Sequence, residues 1–173
     1  MLKKFLPDSH FENVYNITPE YLKSFGIKGI ITDLDNTLIE WDKPNATPDL
    51  IKWFEHLKEN GVKVAVVSNN NRERVRIFCE PLGIPFFYKA RKPLTNAFKS
   101  ALNSLDLKKD EVCVVGDQLL TDILGGNNLG VHTILVVPVA STDGFVTRFN
   151  RKVERRILKM LRQRGLLKWE EVK

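Results

Sequence analysis

Gly29-Ile30-Ile31-Thr32-Asp33-Leu34-Asp35-Asn36-Thr37 is the stretch on which the reading of this chain turns. Its first four residues read as a buried strand, and two carboxylates stand two positions apart where that strand ends. Side chains at that spacing share one face of an extended segment. Carboxylates crowded at a strand end repel each other unless a cation or a transferred proton relieves them. Strand ends are also where open α/β sheets place their chemistry. Taken alone, Asp-x-Asp also fits a strand-ending turn with an N-cap.

Working outward, apolar runs alternate with helical patterns, which argues for βαβ units and a parallel sheet. Thr18-Pro19-Glu20 opens a short helix that Gly26 stops. Thr47-Pro48-Asp49 caps a second, with Leu50, Ile51, Phe54 and Leu57 at helical spacing and Gly61 at its end. Further strands are expected over 62–67, 85–88, 112–115 and 131–137. Helices are expected over 72–81, 94–105, 119–128 and 147–163. Right-handed crossovers turn this into a three-layer α/β Rossmann-like sandwich with a five-stranded parallel sheet, one domain over 1–173. Asp33, Ser68 and Asp117 each fall at the C-terminal end of an expected strand.

Three more segments carry chemistry. In Ser68-Asn69-Asn70-Asn71 a hydroxyl and backbone N–H groups can hold phosphate oxygens, or can simply cap a helix. In Lys89-Ala90-Arg91-Lys92-Pro93, Pro93 reads as the first helical residue. That would fix Lys92 at a helix mouth, where its ammonium could neutralise a phosphate. The bland alternative is a solvated basic turn. In Gly116-Asp117-Gln118-Leu119-Leu120-Thr121-Asp122, Gly116 permits close approach and the two carboxylates suit Mg²⁺. A capping Asp would explain Asp117 alone.

In this order, Asp-x-Asp-x-Thr, Ser-Asn, Lys-Pro and Gly-Asp-x₄-Asp, the sequence resembles the haloacid dehalogenase superfamily of phosphotransferases. The resemblance implies a sheet order of 5-4-1-2-3 and Mg²⁺-dependent phosphoryl transfer through an aspartyl phosphate. It implies Asp33 as nucleophile, and Asp35 as general acid and then base. Thr37, Ser68, Asn69 and Lys92 would bind phosphate. Asp33, the Asp35 carbonyl and Asp117 would bind Mg²⁺, with Asp122 supporting them from one layer out. Elementary chemistry agrees: a carboxylate attacking phosphorus splits hydrolysis into two easier steps. Alkoxides are poor leaving groups and need a proton, so a second Asp favours phosphate chemistry over dehalogenation.

The segments between motifs are short. Positions 38 to 67 are used up by one loop, one helix and one strand, leaving no room for a cap domain. An open site favours a large or surface-bound substrate. Leu6-Pro7-Asp8, Ile17-Thr18-Pro19, Asp33 to Trp41, Pro44 to Pro48, Lys89 to Pro93, Gly116 to Gly126 and Pro138 to Arg156 resemble the YqeG branch of the capless class IIIA phosphatases. That branch implies phosphatidylglycerophosphate dephosphorylation. The alternatives are a capless phosphatase for nucleic-acid ends or small phosphomonoesters, and a binding module with a vestigial site. Asp33, Asp35, Lys92 and Asp117, all present, argue against the last.

Of 173 residues, 43% are hydrophobic and 28% charged, an ordinary globular balance, and the net charge is +6. From Arg148 to Arg164 there are eight basic residues and one acid, Glu154, a local net of +7, so the remainder sums to −1. The basic character is one segment, so its partner is expected to be met at one face. Phe149, Val153, Ile157, Met160 and Leu161 form an apolar stripe on that helix. Its basic face would be solvated, or the docked helix would present guanidinium groups beside the open site, suiting an anionic membrane or a polyanionic substrate. Nucleic acid would also be attracted, but no recognition module or interleaved aromatics support it. Cys79 and Cys113 read as buried thiols of a reducing cytosol. No signal peptide is read at the start, and no apolar run is long enough to span a bilayer. The expected location is cytoplasmic, with peripheral contact to the membrane.

Overall fold

The structure, a computed structural model, describes residues 2–140 and 145–167, the side chains of 145–149 excepted. Six strands, β1 (Ser9–Phe11), β2 (Gly29–Thr32), β3 (Lys63–Val67), β4 (Phe86–Phe87), β5 (Val112–Gly116) and β6 (His132–Val136), make one sheet. Its order is β1-β6-β5-β2-β3-β4, and every pairing is parallel. The expected five-strand order 5-4-1-2-3 is present within it, and β1 is an addition at the β6 edge. Ser-His-Phe carries no apolar alternation to announce a strand. Pairing creates it: Ser9 registers with Ile134, and the Asp8 carboxylate accepts the Thr133 N–H at 2.8 Å.

Successive residues of the central strands face opposite sides. Ile30, Val66, Cys113 and Val115 pack with residues of α1 (Pro19–Ser24), α2 (Pro48–Glu59) and α3 (Arg72–Cys79). Ile31, Ala65, Val67 and Val114 pack with α4 (Asn96–Leu105) and Leu129 of α5 (Leu124–Leu129). Burial on both faces is what reads in sequence as unbroken apolar runs. Thr18 and Thr47 cap their helices as expected, each hydroxyl accepting a backbone N–H at 3.2 Å. Ile51 does not join the α2 core; it is exposed, while Trp53 is buried and donates its indole N–H to Ile17 O.

Three helix boundaries differ from expectation. The third ends at Cys79, with a 3₁₀ turn over Glu80–Leu82. The fourth opens at Asn96, not beside Pro93, which follows Lys92 through a cis peptide bond. The fifth is preceded by a π-helical turn, Leu119–Ile123, a feature that often accompanies function. The last helix, α6 (Phe145–Gln163), docks through Ile157 and Leu161 on Leu119, Ile123 and Leu135. Met160 departs from the expected stripe and is exposed, and Phe149 lies outside the described side chains.

α5 lies close against the sheet because Gly126 has no side chain. A Cβ there would stand 2.5 Å from Thr133 Cγ2 and 3.1 Å from Val114 Cβ. Overpacking of this kind costs about 1–3 kcal/mol, against at most about 1 kcal/mol that Ala gains over Gly in a helix. Gly126→Ala should therefore lower the urea midpoint; an unchanged or higher midpoint would mean the contact has slack.

Candidate active site

The β2–β5 ladder runs one residue past β2: Asp33 N–H donates to Val115 O at 2.9 Å. This sets Asp33 beside Asp117, which follows the last residue of β5. The chain then reverses at once. Asn36 takes φ 64°, and its N–H meets Ile39 O at 2.7 Å. Leu34, Leu38 and Ile39 anchor the turn in the core. The reversal brings Thr37 Oγ1 to Asp117 Oδ1, to which it donates at 2.9 Å. The Thr37 hydroxyl is thus already engaged in orienting a carboxylate.

Lys92 Nζ lies 2.6 Å from Asp33 Oδ1 and 2.7 Å from Asp122 Oδ1, with all three side chains buried. No helix N-terminus places this ammonium, contrary to the reading of Pro93 as a first helical residue. Two loops are zipped together instead. Lys89 N–H donates to Asn70 O, Ala90 N–H to Ser68 O, and Lys92 N–H to Asn69 Oδ1 at 2.7 Å. Asn69 and Ser68 therefore stand beside Lys92, and Ser68 Oγ accepts the Asn70 N–H at 3.1 Å. Burial alone would lower the Lys92 pKa; Asp122 and Asp33 outweigh it and hold the group protonated.

Asp35 turns away from this knot. Its Oδ2 accepts from Asn70 Nδ2 at 2.9 Å, and its Oδ1 accepts from Arg74 Nε at 3.0 Å. Burial nonetheless pushes its pKa above the usual carboxylate value, Asp33 adding to the effect and Asn70 and Arg74 opposing it. Two carboxylates two positions apart thus sit in different surroundings. One is paired with an ammonium; the other is held by an amide and a guanidinium, with burial raising its pKa.

α6 docks with one guanidinium inside the site, on Asp117, rather than only beside it. Arg151 Nη1 donates to the Asp117 carbonyl oxygen at 2.6 Å, and Nη2 donates to Asp117 Oδ2. Glu154, buried, lies 3.3 Å from the same guanidinium and accepts the Leu120 N–H at 3.1 Å. Sequence reasoning passed over Arg74, Arg151 and Glu154 as site residues. The one acid in a basic run, three positions after an arginine, was the available signal for the last two.

Among the described residues, Asp33, Asp117 and Asp122 form a buried group whose carboxylate oxygens lie within 4.8 Å of one another. Burial, followed by Asp33 and Asp122, pushes the Asp117 pKa up against the pull of Arg151. A hard divalent cation relieves that repulsion and prefers oxygen donors, so the donor set fits one. Asp122 accepts from Lys92 and from Gln118 N–H, Asp117 accepts from Thr37 and Arg151, and Asp33 accepts from Lys92, so each carboxylate of the group is already oriented by its neighbours.

Residues 39–130 match the haloacid dehalogenase-like hydrolases, and the chain belongs to that family. The match opens just after the Asp33–Thr37 turn. The probable phosphatase YqeG of Bacillus subtilis is 66% identical over 172 residues, covering 99% of this chain and 100% of that protein. Phosphatidylglycerophosphate phosphatase 1 of Arabidopsis thaliana, chloroplastic/mitochondrial, is 28% identical over 93% of this chain and 49% of its own length. In fold, the cobalt-bound deoxy-D-mannose-octulosonate 8-phosphate phosphatase of Haemophilus influenzae superposes with a TM-score of 0.54 at 17% identity, over 79% of this chain and 90% of that one. The chain is an enzyme, a phosphatase of the haloacid dehalogenase type, and its substrate carries a phosphate.

A Cβ on Gly116 would run into the Asp122 side chain. Asp122 must then shift, and Lys92 with it. Because misplacing a catalytic group by about 1 Å can cost ~10²-fold, Gly116→Ala should lose at least about tenfold in kcat on an aryl phosphate while staying folded by circular dichroism. Wild-type turnover in the variant would show that the Asp122–Lys92 contact does not matter to the chemistry.

Proposed function

We propose that this phosphatase is Mg²⁺-dependent, works through an aspartyl phosphate on Asp33, and dephosphorylates phosphatidylglycerophosphate. The observation that carries the chemistry is the pairing of Asp33 with Lys92 at 2.6 Å while Asp35, two residues on, has a raised pKa. A nucleophile beside a cation and a general acid in a site that favours its protonated form are what the two steps require, and the Lys92 contact and the burial of Asp35 support that division of roles.

In the first step an Asp33 oxygen attacks phosphorus, the bond from phosphorus to the ester oxygen breaks, and that oxygen takes the Asp35 proton. In the second, Asp35 accepts a proton from water as the water oxygen attacks phosphorus. The bond from phosphorus to Asp33 breaks, returning both carboxyl groups to their starting forms. Lys92 offsets charge on the transferring group, and Ser68 and Asn69 border the same space. Thr37, whose hydroxyl donates to Asp117, borders the same space, where a phosphate oxygen would compete for it. Mg²⁺ held by Asp33, the Asp35 carbonyl and Asp117, with Asp122 behind them, would supply further charge neutralisation on the phosphoryl oxygens.

Three features support a lipid substrate. The segments between motifs are filled by α2 with β3 and by α4 with β5, leaving the site uncapped. Lys152, Arg155, Arg156, Lys159 and Arg162 of α6 are exposed, each worth roughly 1 kcal/mol near an anionic leaflet. The similarity to the Arabidopsis enzyme runs over nearly the whole chain. No helix among the described residues is long and apolar enough to cross a membrane; the contact we propose is peripheral, through the basic face of α6.

Asp35→Asn should slow transfer to Asp33 much more for alkyl than for activated aryl phosphates, because only the former need protonation. Equal losses in single-turnover measurements would remove Asp35 from the acid role. The substrate assignment is tested by phosphate release in Mg²⁺ from phosphatidylglycerophosphate vesicles, a 3′-phosphorylated oligonucleotide and sugar phosphates, with Asp33→Asn as the inactive control. The vesicles should be turned over most efficiently. Preference for either soluble class would overturn the lipid reading, and an active control would overturn the nucleophile.

A further inference from the structure

We infer that Arg151 and Glu154 of α6 form a clamp that orients Asp117 for the cation, making the basic helix a working part of the metal site. The inference rests on the reading of Asp117 as a cation ligand.

Arg151 grips one residue at two points. It donates to the Asp117 main-chain oxygen at 2.6 Å and to the outer carboxylate oxygen, Oδ2. Thr37 donates to the other oxygen, Oδ1, at 2.9 Å. Held from both ends, the carboxylate cannot swing about its last torsion, and the remaining lone pair of Oδ1 keeps one direction. A guanidinium can span two acceptors in this way because its donors form a rigid fork; an ammonium cannot. Outer partners of metal ligands commonly act by fixing orientation in just this manner.

A bare cation beside a metal ligand would also repel the metal. Glu154 removes that difficulty. It is 4% exposed, lies 3.3 Å from the Arg151 guanidinium, and is tied at its other oxygen to the Leu120 N–H at 3.1 Å. The Arg–Glu pair is close to neutral as a unit, so it brings geometry with little net charge. An arginine that merely stood in for an absent cation would need no carboxylate of its own. The same links tie α6 to the Leu119–Ile123 turn, on which Asp122 also sits, and Ile157 and Leu161 hold the helix down beside it. The functional site thus extends onto an element whose sequence reads as a solvated basic helix.

The test measures Mg²⁺ binding itself, by calorimetric titration of the full-length protein, on Arg151→Lys, Glu154→Gln and Asp117→Asn. Unfolding midpoints in chelator report whether each variant is folded. Arg151→Lys keeps the charge and loses the fork. Glu154→Gln keeps the shape and leaves the guanidinium charge unbalanced. Each should weaken Mg²⁺ binding about tenfold or more, the usual effect of removing a ligand's outer partner. Glu154→Gln is nearly isosteric and carries the test should Arg151→Lys unfold. Wild-type affinity in both variants, alongside weakened binding in Asp117→Asn, would overturn the clamp while leaving the site standing. Tighter binding in either would make Arg151 a competitor of the cation and overturn it equally. Undiminished binding in Asp117→Asn would show instead that the reading of Asp117 as a ligand is what failed.

Discussion

The site depends on one buried ammonium. Lys92 Nζ sits 2.6 Å from Asp33 and 2.7 Å from Asp122, with the three side chains buried. Burying ions costs several kcal/mol each unless they are paired in good geometry. The surrounding architecture supplies that geometry. β2 delivers Asp33, the turn after β5 delivers Asp122, and two zipped loops after β3 and β4 deliver Lys92. Each of these pieces is held by core packing, so the charges meet without having to order anything further.

The unequal treatment of Asp33 and Asp35 follows from the same arrangement. Lys92 is committed to Asp33 and Asp122, so Asp35 must find other partners, and it takes Asn70 and Arg74. Those partners do not cancel its burial. Neighbouring titratable groups given different environments can divide acid and base roles between them, the division proposed for Asp33 and Asp35. Asp117 has a third environment, between Thr37 and Arg151, which fixes the direction of its carboxylate while burial pushes its pKa up.

The motifs were legible because they are local. Asp33 to Thr37 and Gly116 to Asp122 each turn within one strand end, and residue type and spacing suffice to place their carboxylates. The central strands were legible because burial on both faces leaves unbroken apolar runs. Lys92 does stand beside Asp33, but not at the helix mouth read from the sequence: Asn69 and the Ser68–Asn70 loop place it, not a helix beginning at Pro93. β1 was missed because Ser9–Phe11 becomes a strand only by pairing with β6.

By itself, then, the chain's order of residues determined a parallel α/β sheet, five of its six strands, and the four motifs at its carboxyl edge. These follow from hydrophobic period and from chemistry confined to a few neighbouring positions. Only the tertiary structure decided which charges share a partner. Arg74 reaches Asp35 across 39 positions, and Arg151 reaches Asp117 across 34. An arginine's pattern in a helix is the same whether its guanidinium meets water or a buried carboxylate, because the partner is chosen by how helix and sheet dock, and docking is set by packing that no single segment contains.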